Sequence, residues 1–238
     1  MNQTNDKLML SQSRLARVYR ERLSEPLHLN LMSMFVAIFG SFRTKVAFDL
    51  IPRRHYAYAV LRCAELAASC SLRRVSIAEL GVAAGAGLLN LCTIAREVTR
   101  ATGVAFDIYG FDTGAGLPMP QDHRDHPELF QSGDFPMDQQ ALIRALPANA
   151  KLLLGELKDT VPSFIRSLSL EAPLGFVAVD IDYYSSARDA LALFADPEPR
   201  KYLPLSLVYL DDIYLESQNS WCGELLAVKE FNEAQPLR

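Results

Sequence analysis

The chain has 238 residues, half of them hydrophobic and 22% charged, with a formal net charge of −4. That composition fits a soluble protein with one substantial α/β-sized core. It argues against a nucleic-acid binder, because no basic stripe exists and Arg53-Arg54 and Arg73-Arg74 are isolated pairs of the kind expected at solvated helix ends.

The N-terminus "MNQTNDKLML" is polar and does not read as a secretory signal. The apolar stretch "LHLNLMSMFVAIFG" is too short, and starts too late, for a signal or a membrane span. Residues 5–50 read as helices, punctuated by Pro26 and Gly40, with the main domain expected over 51–238. Within it, residues 53–70 show a helical period and residues 74–80 a short β-rich run closed by Gly81. A helix follows at 87–102, then strands at 104–112 and 150–157, and a helix at 159–170 that tolerates Pro162 in its first turn. A fourth strand is expected at 174–182, a helix at 185–195, a fifth strand at 205–212, and a final helix at 221–234. Near-continuous apolar strands alternating with helices predict a doubly wound parallel sheet covered on both faces. The four cysteines, Cys63, Cys70, Cys92 and Cys222, lack C-x-x-C spacing and are expected to be reduced core thiols of a cytoplasmic protein.

The corner "SIAELGVAAGAGLLNL" carries Glu79, Gly81, Gly85 and Gly87 between the first strand and its helix. Glycine allows positive φ and close approach of a ligand to the backbone, and the helix start offers unpaired N–H groups. A dinucleotide fingerprint would read G-x-G-x-x-G, whereas the spacing here is G-x-x-x-G-x-G with an acid two residues ahead. A glutamate there repels a pyrophosphate and attracts a cationic amino-acid end, which favours S-adenosylmethionine. Small residues at such a corner also serve tight strand–helix packing. Asp112, in "YGFDTGAGLP", lies 25 residues beyond Gly87, near the offset at which an acid meets ribose hydroxyls. Glu156, past the third strand, is a candidate for the adenine end.

Two acidic pairs, Asp180 and Asp182 in "VAVDIDYYSS" and Asp211 and Asp212 in "VYLDDIY", stand at the ends of the fourth and fifth strands. Residues two apart share one face of an extended strand, so adjacent strands would bring four carboxylates to one rim. Such crowding is costly unless a cation or protons intervene, and oxygen-only donors suit Mg²⁺, Ca²⁺ or Mn²⁺. For any single aspartate a helix cap or turn residue is the better reading; for two pairs at neighbouring strand ends it is not.

The segments "AELGVAAGAG", "YGFDTGAGLP", "VDIDYYSSARDAL" and "YLDDI" resemble those of class I S-adenosylmethionine-dependent methyltransferases, and among them the macrocin O-methyltransferase-like enzymes that methylate sugar hydroxyls. The resemblance covers most of the chain beyond residue 50. It implies a Rossmann-like methyltransferase fold, S-adenosylmethionine held by Glu79, Gly81, Gly85, Gly87, Asp112, Thr113 and Glu156, and Mg²⁺ held by Asp180, Asp211 and Asp212. It also implies Asp182 as the base that takes the proton of a small-molecule hydroxyl. The aspartates sit in a different context, "FVAVDIDYY", from that usual in the sugar enzymes, so the acceptor does not transfer with the resemblance. The antiparallel hairpin that normally closes this fold has no counterpart in the 26 residues after Asp212. The fifth strand is therefore expected as an open edge, covered by the N-terminal helices or by a second protomer.

The loop over 116–140 lacks a period and is expected to lie over the site, with His123 and His126 as surface residues. A nicotinamide-dependent short-chain dehydrogenase is the alternative enzyme class, since "YSSAR" loosely echoes a Tyr-x-x-x-Lys pair; Arg188 cannot readily take the lysine's titrating role. A catalytically degenerate cofactor-binding module is the alternative outside catalysis.

Overall fold

A computed structural model of the chain describes residues 26–214 and 219–234. The chain divides into two units, Met1–Ile51 and Pro52–Arg238. In the first, helix α1 (Leu27–Phe39) begins after Pro26 and stops at Gly40, and α2 (Phe42–Ala47) is capped by Ser41, whose hydroxyl accepts the Thr44 N–H. The helices expected over 5–25 lie outside the described residues.

The second unit opens with α3 (Arg54–Ser69), whose buried positions Tyr56, Val60, Cys63 and Ala67 recur at helical spacing. Then come β1 (Arg74–Leu80), α4 (Ala86–Thr102), β2 (Ala105–Asp112), α5 (Gln139–Ala145), β3 (Ala150–Leu154), α6 (Leu157–Ser167), β4 (Leu174–Val179), α7 (Tyr184–Leu191), β5 (Tyr202–Leu210) and α8 (Gly223–Ala234). The strands form one all-parallel sheet in the order β3-β2-β1-β4-β5. β1 and β4 are buried along almost their whole length, because helices cover both faces. One face packs Ala78, Leu80, Phe111, Val177 and Val179 against Val161, Phe164 and Ile165 of α6 and Ala190 of α7. The other is covered by α3 and α4. This is the doubly wound fold read from the sequence.

Several boundaries differ from those expectations. β3 stops at Leu154, because Gly155 turns the chain with φ 137° and α6 starts at Leu157. β4 ends at Val179 and β5 at Leu210, so all four aspartates lie just past the strands and not within them. The cause at β4 is visible: the Ile181 N–H, which a longer strand would give to a neighbour, donates to the Glu224 carboxylate of α8 at 3.1 Å. After Asp211 the chain turns into a short 3₁₀ helix, Asp212–Tyr214. The 116–140 loop contains structure that the sequence did not announce, a 3₁₀ turn at His123–Asp125 and the first residues of α5.

Cys63, Cys92 and Cys222 are buried, whereas Cys70, expected in the core, is exposed where α3 ends. Burial pushes the Cys63 thiol up to about 12, and it donates to the Gly175 carbonyl, so it is an inert core group. Among the described residues β5 pairs only with β4, leaving an edge with Leu205 and Val208 exposed, and the described residues after it form a helix with no strand. No helix among the described residues is long and apolar enough to cross a membrane.

Candidate functional site

From β1 the chain winds outward to β2 and β3, then returns to place β4 on β1's other side. The carboxyl ends of β1 and β4 therefore flank the switch point, where open α/β sheets bind ligands. Register aligns Leu80 with both Phe111 and Val179, and Val179 with Leu210. The next residues, Gly81, Asp112, Asp180 and Asp211, consequently stand along one rim. A cavity of about 730 Å³ opens above that rim and is lined by Glu79, Gly81, Gly87, Asp112, Asp180 and Asp182. Its size suits a drug-sized or cofactor-sized ligand.

Strand alternation sends Glu79 to the α3 side of the sheet, where it is 1% exposed. The Tyr56 hydroxyl donates to its Oε1 at 2.8 Å, while Oε2 is buried without a hydrogen-bond partner among the described residues. Burial pushes the carboxyl up to about 8, even though Tyr56 and Arg53 favour its charged form. A buried carboxylate with one unsatisfied oxygen on a cavity wall is suited to a cationic ligand group.

The glycines serve the protein's own packing as much as a ligand. A Cβ on Gly87 would fall on the Glu79 carboxylate, and one on Gly81, at φ 85°, on the Asp180 carbonyl. Gly85 is a correction to the expected cofactor set: its φ of 87° and the Leu142 side chain, 2.5 Å from where a Cβ would stand, explain it, and it does not line the cavity. Asp112 folds this corner from β2. Its Oδ2 accepts the N–H groups of Val82 and Ala83 at 3.0 and 2.8 Å, and its Oδ1 that of Gly114 at 2.7 Å. The Thr113 hydroxyl donates to the Gly116 carbonyl at 2.6 Å, and Glu156 pairs with Lys158; both line the cavity.

Asp180 and Asp182 line the cavity too, whereas Asp211 and Asp212 do not, although Asp212 lies within hydrogen-bond range of Asp182. Burial first, then the carboxylates of Asp212 and Asp180, push Asp182 up to about 7. Burial with Asp211 and Asp212 nearby pushes Asp180 up to about 6. Asp211 is exposed, and its Oδ1 accepts the Tyr209 hydroxyl at 2.6 Å. Asp212 is buried with Oδ2 unpartnered among the described residues. Among the described residues no three His, Cys, Asp or Glu side chains are arranged to hold a metal ion, so the expected ligands Asp180, Asp211 and Asp212 do not meet as a set.

Two side chains unremarked in the sequence, Glu224 and Asp125, and one read differently, His126, reach this region from afar. Glu224 holds the turn after β4, and burial pushes it up to about 8. His126, expected at the surface, is 3% exposed with its Nε2 unpartnered among the described residues, whereas His123 is exposed. Asp125, fully buried, accepts the Gln121 N–H at 2.7 Å and both the N–H and the hydroxyl of Ser185 at 2.8 and 2.9 Å. It thereby pins the long loop to the first turn of α7, a cap supplied by a distant segment. Asp125→Ala strands the buried N–H and hydroxyl of Ser185, and the expected loss is about 2–4 kcal/mol of stability. A urea midpoint unchanged from wild type would contradict that role.

No protein-family model matches the sequence, and no curated protein matches it. Among solved structures the chain is similar to CalS11, a calicheamicin methyltransferase, with 18% identity over 89% of this chain and 86% of that one and a TM-score of 0.56. An apo structure of CalS11, a TDP-rhamnose 3'-O-methyltransferase in calicheamicin biosynthesis, matches at 18% identity over 89% and 87%, with a TM-score of 0.45. The first likeness shows that the fold is the Rossmann-like methyltransferase fold.

Proposed function

We propose that the chain is an S-adenosylmethionine-dependent O-methyltransferase acting on the hydroxyl of a small, sugar-like molecule. One observation carries this reading: the buried, half-satisfied carboxylate of Glu79 beneath Gly87 at the sheet's switch point, a seat for an ammonium group and a poor one for a pyrophosphate. Support comes from the shared methyltransferase fold, from the sequence segments around the rim, and from CalS11's action on a nucleotide sugar.

When bound, S-adenosylmethionine supplies an electrophilic methyl group on a sulfonium. Glu79 would face its ammonium end, and Asp112, three of whose lone pairs fix the glycine corner, would offer the fourth, on Oδ1, to a ribose hydroxyl. Glu156 and the start of α6 border the space for the adenine. Asp182 stands across the cavity, where an acceptor hydroxyl would meet the methyl group. In the transfer the Asp182 carboxylate would take the proton of the acceptor hydroxyl as its oxygen bonds the methyl carbon and the donor's C–S bond breaks. A carboxylate titrating near 7 is matched to that task, since it is ionised often enough and still basic enough. Binding both reactants in one cavity supplies the orientation that displacement at carbon needs.

No step is routed through a metal ion. A divalent cation on Asp180, Asp211 and Asp212 is not part of the proposal, because among the described residues those side chains do not meet as a set. Pairing of the β5 edge with a second copy of the chain is a further part of the proposal, and it rests on the exposed apolar residues Leu205 and Val208.

Calorimetry with S-adenosylhomocysteine and with NAD⁺ tests the cofactor reading; binding of the nicotinamide cofactor alone would favour the dehydrogenase. The same titration carries a pH signature. Glu79 is largely protonated below its value of about 8 in the free protein and must ionise to meet an ammonium, so binding releases a proton. Affinity is expected to rise by up to about tenfold per unit from pH 6 towards 8. It falls again once the ligand's α-ammonium group deprotonates at higher pH. Binding heats independent of buffer ionisation at pH 6.5 would contradict this linkage.

A further inference from the structure

The S-adenosylmethionine reading leaves one end of the ligand unaccounted for. Its methionyl group is a zwitterion, and Glu79 answers only the ammonium. Two cationic side chains line the cavity, Arg53 and Lys158. Lys158 is already paired with Glu156. Arg53 has no ion-pair partner among the described residues.

Arg53 precedes α3 with a left-handed φ of 51°, a conformation uncommon for a side chain of its size. Its side chain makes no capping hydrogen bond to the helix it begins, so local structure does not explain that backbone. The guanidinium lies over the Tyr56 ring, 5.3 Å from its centroid, a cation–π position. That same tyrosine donates its hydroxyl to Glu79. One aromatic side chain thus supports a cation at the cavity mouth and an anion at its floor, held apart instead of collapsed into a salt bridge. The positive charge is close enough to favour the charged forms of Glu79 and Asp180. The nearby backbone donors are partly spent, since the N–H groups of Val82 and Ala83 go to Asp112.

We propose that Arg53 anchors the α-carboxylate of the methionyl group, so that Arg53 and Glu79 together read the zwitterionic head of the methyl donor. This rests on the cofactor reading above and adds a residue to it. A planar guanidinium suits the task because it can give a carboxylate two parallel N–H···O bonds.

The test removes the carboxylate from the ligand and the guanidinium from the protein in turn. Calorimetry on the full chain uses S-adenosylhomocysteine, its decarboxylated analogue, which keeps the ammonium, and 5'-methylthioadenosine, which has neither group. Wild type is expected to bind S-adenosylhomocysteine roughly 10–100-fold tighter than the decarboxylated analogue, the range of a charge-assisted hydrogen bond. Arg53→Gln is expected to lose that preference, weakening S-adenosylhomocysteine by the same factor and leaving the other two ligands within about threefold. Arg53→Lys, which keeps the charge without the fork, should recover part of the preference. Equal weakening of all three ligands in Arg53→Gln would overturn the proposal by making Arg53 a determinant of cavity shape. Unchanged binding of all three would overturn it by assigning the carboxylate to the free N–H groups at the start of α4. If wild type bound none of the three, the cofactor reading itself would fall; loss of the Arg53 effect alone leaves that reading intact.

Discussion

Asp182→Asn is expected to reduce methyl transfer by about 10²–10⁴-fold while leaving the affinity for S-adenosylhomocysteine within a few-fold of wild type. The substitution keeps the shape and removes the proton acceptor, so the loss should fall on kcat and not on cofactor binding. At saturating S-adenosylmethionine, wild-type kcat/KM for the acceptor should rise with pH and level off above about 7, as Asp182 ionises; the variant should lack that limb. The readout is transfer of labelled methyl from S-adenosylmethionine into small hydroxyl compounds, including nucleotide sugars. A variant that retained wild-type rate would remove Asp182 from the chemistry even with cofactor bound. Burial and two neighbouring carboxylates raise both aspartates of the pair, but Arg53 favours the charged form of Asp180 and is not among the influences on Asp182.

Gly87→Ala should produce the second large effect, and its sign runs against helix propensity. Alanine within a helix is ordinarily better than glycine by about 1 kcal/mol. Here the added methyl lands on the Glu79 carboxylate, which is enclosed and tied to Tyr56. The carboxylate must move, breaking that hydrogen bond and losing its aim into the cavity. The expected result is about 10²-fold weaker binding of S-adenosylhomocysteine with an unchanged far-UV spectrum. The double variant Glu79→Ala, Gly87→Ala relieves the clash and should regain stability but not affinity. If Gly87→Ala bound the ligand as wild type does, Glu79 would not be the group that receives it.

The elements that the sequence announces are those with a local cause. The change of period at Gly81, the β-rich runs and the helical spacing of Tyr56, Val60, Cys63 and Ala67 are written in adjacent residues, and they suffice to assign the doubly wound sheet. Strand ends are less legible because they depend on partners. β4 stops at Val179 when Glu224, 43 residues away, takes the Ile181 N–H. The rim residues Glu79, Gly81, Gly87, Asp112, Thr113, Glu156, Asp180 and Asp182 line one cavity, as expected for residues at the carboxyl ends of parallel strands.

What the sequence could not disclose is the set of contacts that bridge distant segments. The Tyr56 hydroxyl meets Glu79 across 23 residues, and Asp125 meets Ser185 across 60. Neither pair has a spacing that a local pattern would mark. Arg53 is exposed at the start of α3, as a solvated helix end should be, and what the sequence did not show is that it also lines the cavity. His126 looked like a surface residue and is buried, because the loop that carries it is pinned down by its neighbour Asp125. The glycines show a subtler gap. Their freedom from side chains was legible, but the groups that use the space include the protein's own Glu79, Asp180 and Leu142.

A crystal structure with S-adenosylhomocysteine soaked or co-crystallised is the most direct measurement of the central claim. The expected density lies over the glycine corner, with the ammonium on the Glu79 carboxylate, the ribose at Asp112, and the sulfur facing the space beside Asp182. Density elsewhere, or an amino-acid end pointing away from Glu79, would contradict the account.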